Sequence, residues 1–142
     1  MAEEPIDLVR LGYDSNSMLV RITGGQGADA LIGEFVVDTP FVRGSLRTSI
    51  QPDDLWRWRD ALDALDADHE VVWRDGSPGP RLHIEREADQ ELAHVTVGDN
   101  SLGGVVGDTT VSITVPMTDS WFDDAYERLD LILKTWSLTE EQ

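Results

Sequence analysis

The sequence contains no cysteine. Disulfide bonds, thiol catalysis and thiolate metal centres are therefore excluded, and the absence fits a reducing compartment. Basic residues are scarce as well: 11 Lys and Arg stand against 28 Asp and Glu, a net charge of −17. A field of that sign repels nucleic acids and anionic membranes and favours basic partners. The basic residues that do occur are scattered, with Arg57 and Arg59 set among aspartates, so no nucleic-acid footprint emerges. No apolar run approaches the roughly 18 residues of a membrane span. The start, MAEEPIDLVR, lacks the basic region and apolar stretch of a signal peptide. These absences predict a cytoplasmic protein with neither nucleic acid nor membrane as its partner.

What is present reads as a single domain over residues 1–142, long enough for a real hydrophobic core. Ile6 to Leu11 and Met18 to Thr23 read as strands joined at Asp14-Ser15-Asn16-Ser17, where short polar side chains hydrogen-bond their own backbone. Gly24 to Gly27 reads as a flexible turn. Ala30 to Val37 and Phe41 to Ile50 are two further strands about the turn Asp38-Thr39-Pro40. The second alternates, with Val42, Leu46 and Ile50 on one face and Arg43 and Arg47 on the other, as a half-buried strand does.

Residues 52–66 then switch to helical spacing. Pro52 suits the first helical position, and Asp53 and Asp54 suit the positive end of the helix dipole. Leu55, Trp58, Leu62 and Leu65 form one apolar stripe. Glu70 to Trp73, Arg81 to Arg86, Leu92 to Val97 and Thr110 to Met117 read as four more strands, with a loop by composition at residues 75–80. Gly98 to Asp108 holds four glycines and reads as a mobile connection. A second helix follows near 119–136, capped by Thr118 and carrying the stripe Phe122, Ala125, Leu129, Ile132 and Trp136. Four strands, a helix, four strands and a helix, with short links, predict an α+β fold. The expected form is a two-layer domain with a mainly antiparallel sheet of about six to eight strands covered by the two helices.

Catalytic signatures are missing. His83, His94 and Glu85 are the nearest approach to a metal set, and their spacing matches no recognised ligand pattern. Asp66, Asp68, His69 and Glu70 read as a polar helix exit. GDNSLGGVVGD lacks the alternating acids of an EF-hand and the Lys of a Walker loop. Asp123 and Asp124 stand in the first turns of a helix, where the dipole alone favours carboxylates. The expectation is no enzyme, no metal and no cofactor.

Surface features remain. Trp56 lies two residues from Trp58 and so off the core stripe, beside Asp60 and Asp63. Trp is enriched at interface hot spots. Trp56, Asp60 and Asp63 on the first helix, with Asp123, Glu127 and Asp130 on the second, are the candidate partner-binding residues.

Two stretches carry a resemblance. DALIGEFVVDTPFVRGSLRTSIQPDDLWRWRDALDALDADHEVVW and TVPMTDSWFDDAYERLDLILKTW resemble segments of a domain-of-unknown-function family from high-GC filamentous bacteria, which implies no activity. The order of elements is also similar to WapI-type immunity proteins, in which a hairpin leads into a Leu- and Trp-bearing helix and a final amphipathic helix closes the chain. That resemblance implies binding and neutralisation of a toxin domain. The expected function is a non-enzymatic, immunity-like inhibitor of a basic partner. An accessory subunit of a regulatory complex is the alternative. Oligomeric state stays open.

Overall fold

The structure, a computed structural model, describes residues 5–13, 15–25, 30–74, 79–99 and 109–136. Residues 100–108 of the glycine-rich connection, 75–78 of the loop after Trp73, and Gln26 and Gly27 lie outside the described residues. The elements are β1 (Ile6–Tyr13), β2 (Asn16–Gly25), β3 (Leu31–Asp38), β4 (Arg43–Ile50), α1 (Pro52–Asp66), β5 (Val71–Trp73), β6 (Arg81–Glu87), β7 (Leu92–Gly98), β8 (Thr110–Pro116) and α2 (Asp119–Thr135).

Among the described residues the architecture is α+β with eight antiparallel strands and two α-helices, as the spacing predicts. The strands do not form a single sheet, however. They form two four-stranded meanders, β1-β2-β3-β4 and β5-β6-β7-β8. β4 runs into α1 at Pro52, and beyond that helix β5 pairs with β6 and not with β4. Where β1 and β2 approach β8, a side chain makes the link, with Asn16 Nδ2 donating to the Thr114 carbonyl at 3.3 Å.

Both sheets and both helices bury one contiguous core. Along β3 the period-two pattern is plain: Leu31, Phe35 and Val37 face in. Gly33 shares that face because a Cβ there would stand 2.5 Å from the Ile50 side chain. β4 departs from the expected half-buried strand. Only Ile50 is buried, at the end nearest α1, and Leu46 is 38% exposed. Burial fades along β4 from Ile50 toward Arg43.

α1 begins with Pro52 in its first turn and the Gln51 N–H donating to Asp54 Oδ2 at 2.9 Å. Its stripe buries Leu55, Trp58, Leu62 and Leu65 completely. Trp58 meets Trp73 of β5 at 5.2 Å between ring centroids, and Trp73 stacks on Phe35 at 6.0 Å. α2 starts after Thr118, whose hydroxyl bonds Ser120 at 2.9 Å and makes no cap bond to the backbone. It docks on β1 through two donors: Trp121 Nε1 to the Arg10 carbonyl at 2.7 Å, and Arg128 Nη1 to the Asp7 carbonyl at 3.4 Å.

Candidate functional site

The two helices pack against each other, which brings the sequence-predicted carboxylates together. Asp60 and Asp63 stand one turn apart on α1, and both are exposed. Asp123, Glu127 and Asp130 follow spacings of four and three on α2, so they share a helix face, and all three are exposed. Tyr126 joins the two sets: its hydroxyl donates to Asp63 Oδ1 at 2.5 Å. Asp130 pairs with Lys134 at 3.0 Å, whereas Asp60, Asp123 and Glu127 make no ion pair among the described residues. Exposed carboxylates thus stand on both packed helices, and the half-buried Tyr126 bonds from one helix to the other.

Trp56 does not take the place expected of it. It is only 9% exposed and stands outside the contiguous core, with the Arg59 guanidinium 5.4 Å from its ring centroid. Helical spacing correctly puts it off the stripe of Trp58, but off the stripe is not the same as open to solvent. A ring so covered offers a partner little surface to bury. Trp56 therefore drops out as an anchor.

Burial pushes the Tyr126 hydroxyl pKa well above the ordinary tyrosine value, and the Asp63 hydrogen bond and the Asp63 and Asp66 charges add to that. A raised folded-state pKa stabilises the fold fully below the ordinary value near 10, and this is lost as pH rises through the folded one. Wild type is thus expected to lose stability relative to Tyr126→Phe above about pH 10. Urea midpoints of the two proteins from neutral to alkaline pH check it; a constant difference would show that the Asp63 bond does not govern the titration.

Sequence reasoning missed a second constellation. Arg74, at φ 70° after β5, is 4% exposed. Its Nη1 donates to Asp54 Oδ2 at 2.9 Å and to the Ser49 carbonyl at 3.4 Å. Nε reaches the Pro80 carbonyl at 2.8 Å, and Nη2 reaches Thr48 Oγ1 at 3.1 Å. Burial lowers the Arg74 pKa, and the charge and hydrogen bond of Asp54 oppose that shift. Each guanidinium nitrogen is engaged by protein, so the group is a clamp between β4, α1 and the β5–β6 connection. It is not a free acid or a ligand-binding cation. The Asp54 carboxylate at the third helical position was the available signal, but it reads equally as a dipole carboxylate.

His83 and His94 are separately occupied. His83 Nε2 meets Glu70 Oε2 at 2.5 Å, and His94 meets Glu87 on one side and the Thr114 hydroxyl at 3.0 Å on the other. Among the described residues no group of three His, Asp or Glu side chains converges as a metal site. Asp124 pairs with Arg128 at 2.7 Å, apart from Asp123. No described helix is long and apolar enough to cross a membrane.

No curated protein matches the chain. A family model does match, over residues 6–137, a range that takes in both sheets and both helices. The chain belongs to a family of unknown function, DUF5959.

Proposed function

We propose that this protein is a non-enzymatic binding protein that occludes a basic protein partner, in the manner of an immunity or antitoxin-like inhibitor. One observation supports the reading: α1 and α2 pack together, with Asp60 and Asp63 exposed on one, Asp123, Glu127 and Asp130 exposed on the other, and Tyr126 bonding Asp63 between them. On a chain of net charge −17 such a pair of helices steers a cationic surface into encounter and then meets its Lys and Arg side chains directly. Tyr126 takes the aromatic role expected of Trp56. Its hydroxyl is already fixed by Asp63, so little side-chain freedom is lost when a partner covers it.

The test begins with capture of a partner from the native host at low salt, followed by association kinetics over a salt series. Association is expected to slow steeply as the Debye length falls from about 10 Å at 0.1 M to about 3 Å at 1 M. Dissociation, set by close contacts, changes much less. Neutralising Asp60, Asp63 and Glu127 together as amides is expected to lower the association rate by about tenfold or more while leaving urea stability nearly unchanged. An acidic partner, or a rate indifferent to salt, rules the steering mechanism out.

A further inference from the structure

A sheet edge exposes backbone N–H and C=O groups that can pair with another chain, and proteins guard such edges with charge, proline or short length. The two sheets here have four edge strands: β1, β4, β5 and β8. β1 carries Asp7 and Arg10, and β4 carries Arg43 and Arg47. β5 is three residues long. β8, seven residues of sequence TVSITVP, has no charged side chain, and its proline stands at the last position. In an antiparallel strand the N–H and C=O of one residue point to the same side, and successive residues alternate. Asn16 bonds the Thr114 carbonyl from outside the sheet, so the backbones of Thr110 and Ser112 also point away from β7. Among the described residues no hydrogen bond engages those groups.

A groove of about 580 Å³ runs beside this edge, between Val111 and Ile113 on one wall and the turn Thr39–Val42 on the other. An apolar hollow of about 250 Å³ adjoins it, sharing Val42 and Val111 and reaching Phe35 and Val97. Phe41, at the rim, is 95% exposed.

Charge selects the occupant. Residues 31–50 carry Glu34 and Asp38 against Arg43 and Arg47, residues 109–117 carry no charge, and Asp99 lines the adjoining hollow, so among the described residues this face is weakly charged on a chain of −17. It offers a basic partner far fewer carboxylates than the two helices do. An edge strand without charged side chains lets two copies of an acidic chain approach with little local repulsion, and a two-fold contact requires a patch complementary to itself. An uncharged edge beside its own groove meets that requirement, since each β8 can fill the groove of the other. We propose that two copies of this chain associate by antiparallel pairing of their β8 edges, with Phe41 of each copy covering the Val111 and Ile113 side chains of the other. The contact uses no carboxylate of the two helices and stands whether or not they bind a basic partner.

Sedimentation velocity of the full chain across a concentration series, at low and high salt, tests this. The expected result is a concentration-dependent doubling of mass that strengthens with salt, because screening weakens the repulsion between two chains of −17. Thr110→Lys with Ser112→Lys places four lysines along the paired edges and is expected to give a monomer with an unchanged circular dichroism spectrum. Phe41→Ala, at a site too exposed to matter for folding, is expected to raise the dimer Kd by about tenfold, and it decides the matter alone if the lysine pair disturbs the sheet. A wild-type monomer at every concentration and salt overturns the proposal. So does a dimer indifferent to these substitutions, which would use another face.

Discussion

Trp73→Ala is expected to lower the free energy of unfolding by about 3–5 kcal/mol, a large part of the roughly 5–15 kcal/mol typical of a domain. The ring is 2% exposed and lies between Phe35 of β3 and Trp58 of α1, where both sheets and a helix converge. Its removal opens a cavity at that junction and takes away the Nε1–H that donates to the Asp54 carbonyl at 2.8 Å. Trp58→Ala should cost a similar amount in packing, since that side chain is fully buried. The two tryptophans separate under a milder change. Trp58 Nε1 is buried and has no hydrogen-bond partner among the described residues, so Trp58→Phe breaks no bond to them. Trp73→Phe breaks a bond to a carbonyl that keeps its own helical partner, which adds about 0.5–1.5 kcal/mol. Urea denaturation of the four variants measures this, and a Trp73→Phe variant no less stable than Trp58→Phe would show that the Asp54 bond contributes nothing. Trp56→Ala belongs nearer to these than to a surface substitution, because its ring is covered and stacked by Arg59.

What the sequence disclosed and what it hid divide by distance along the chain. The α1 stripe Leu55, Trp58, Leu62, Leu65 and the alternation through β8 are local periodicities, and both stand in the structure. Separation into two sheets depends on which strands pair across α1, and nothing within any one strand encodes that. The same limit applied to Trp56: spacing gave its direction relative to the stripe but not what lies over it. The carboxylates of the two helices were legible one by one, from helix register. Their union through Tyr126 was not, because Tyr126 and Asp63 are 63 residues apart in sequence. Arg74 was least legible of all. It opens a run of turn residues, RDGSPGP, and so reads as loop, while Asp54 reads as an ordinary first-turn carboxylate.

That pair carries the other large effect. Arg74→Met is expected to destabilise the protein by about 3–5 kcal/mol, because removing one partner of a buried ion pair leaves the other charge without compensation. The Arg74 side chain is 3% exposed and that of Asp54 10%, at a separation of 2.9 Å. Two opposing terms set the size of the loss. Asp54 keeps the Gln51 N–H and the helix dipole, which soften its exposure to an apolar site. Against that, the Pro80 carbonyl and the Thr48 hydroxyl lose their donor too. Backbone strain is the smaller quantity: the left-handed conformation at φ 70° costs a non-glycine residue roughly 1–2 kcal/mol. Arg74→Gly relieves that strain and loses every guanidinium contact, so it should still destabilise, by less than Arg74→Met. A double-mutant cycle with Asp54→Leu decides whether the two act as a unit. The double variant is expected to cost clearly less than the sum of the single ones, since no lone charge stays buried. Strict additivity would mean the ion pair is incidental. The consequence for binding follows from position. The clamp fixes the first turn of α1 to β4 and to the β5–β6 connection, and α1 carries Asp60 and Asp63 on its exposed side. If the helices bind a basic partner as proposed and the clamp holds α1 in place, Arg74→Met is expected to leave the association rate nearly unchanged, because net charge changes by only one unit. It speeds dissociation instead, because the helix face then reaches its bound geometry only by being ordered.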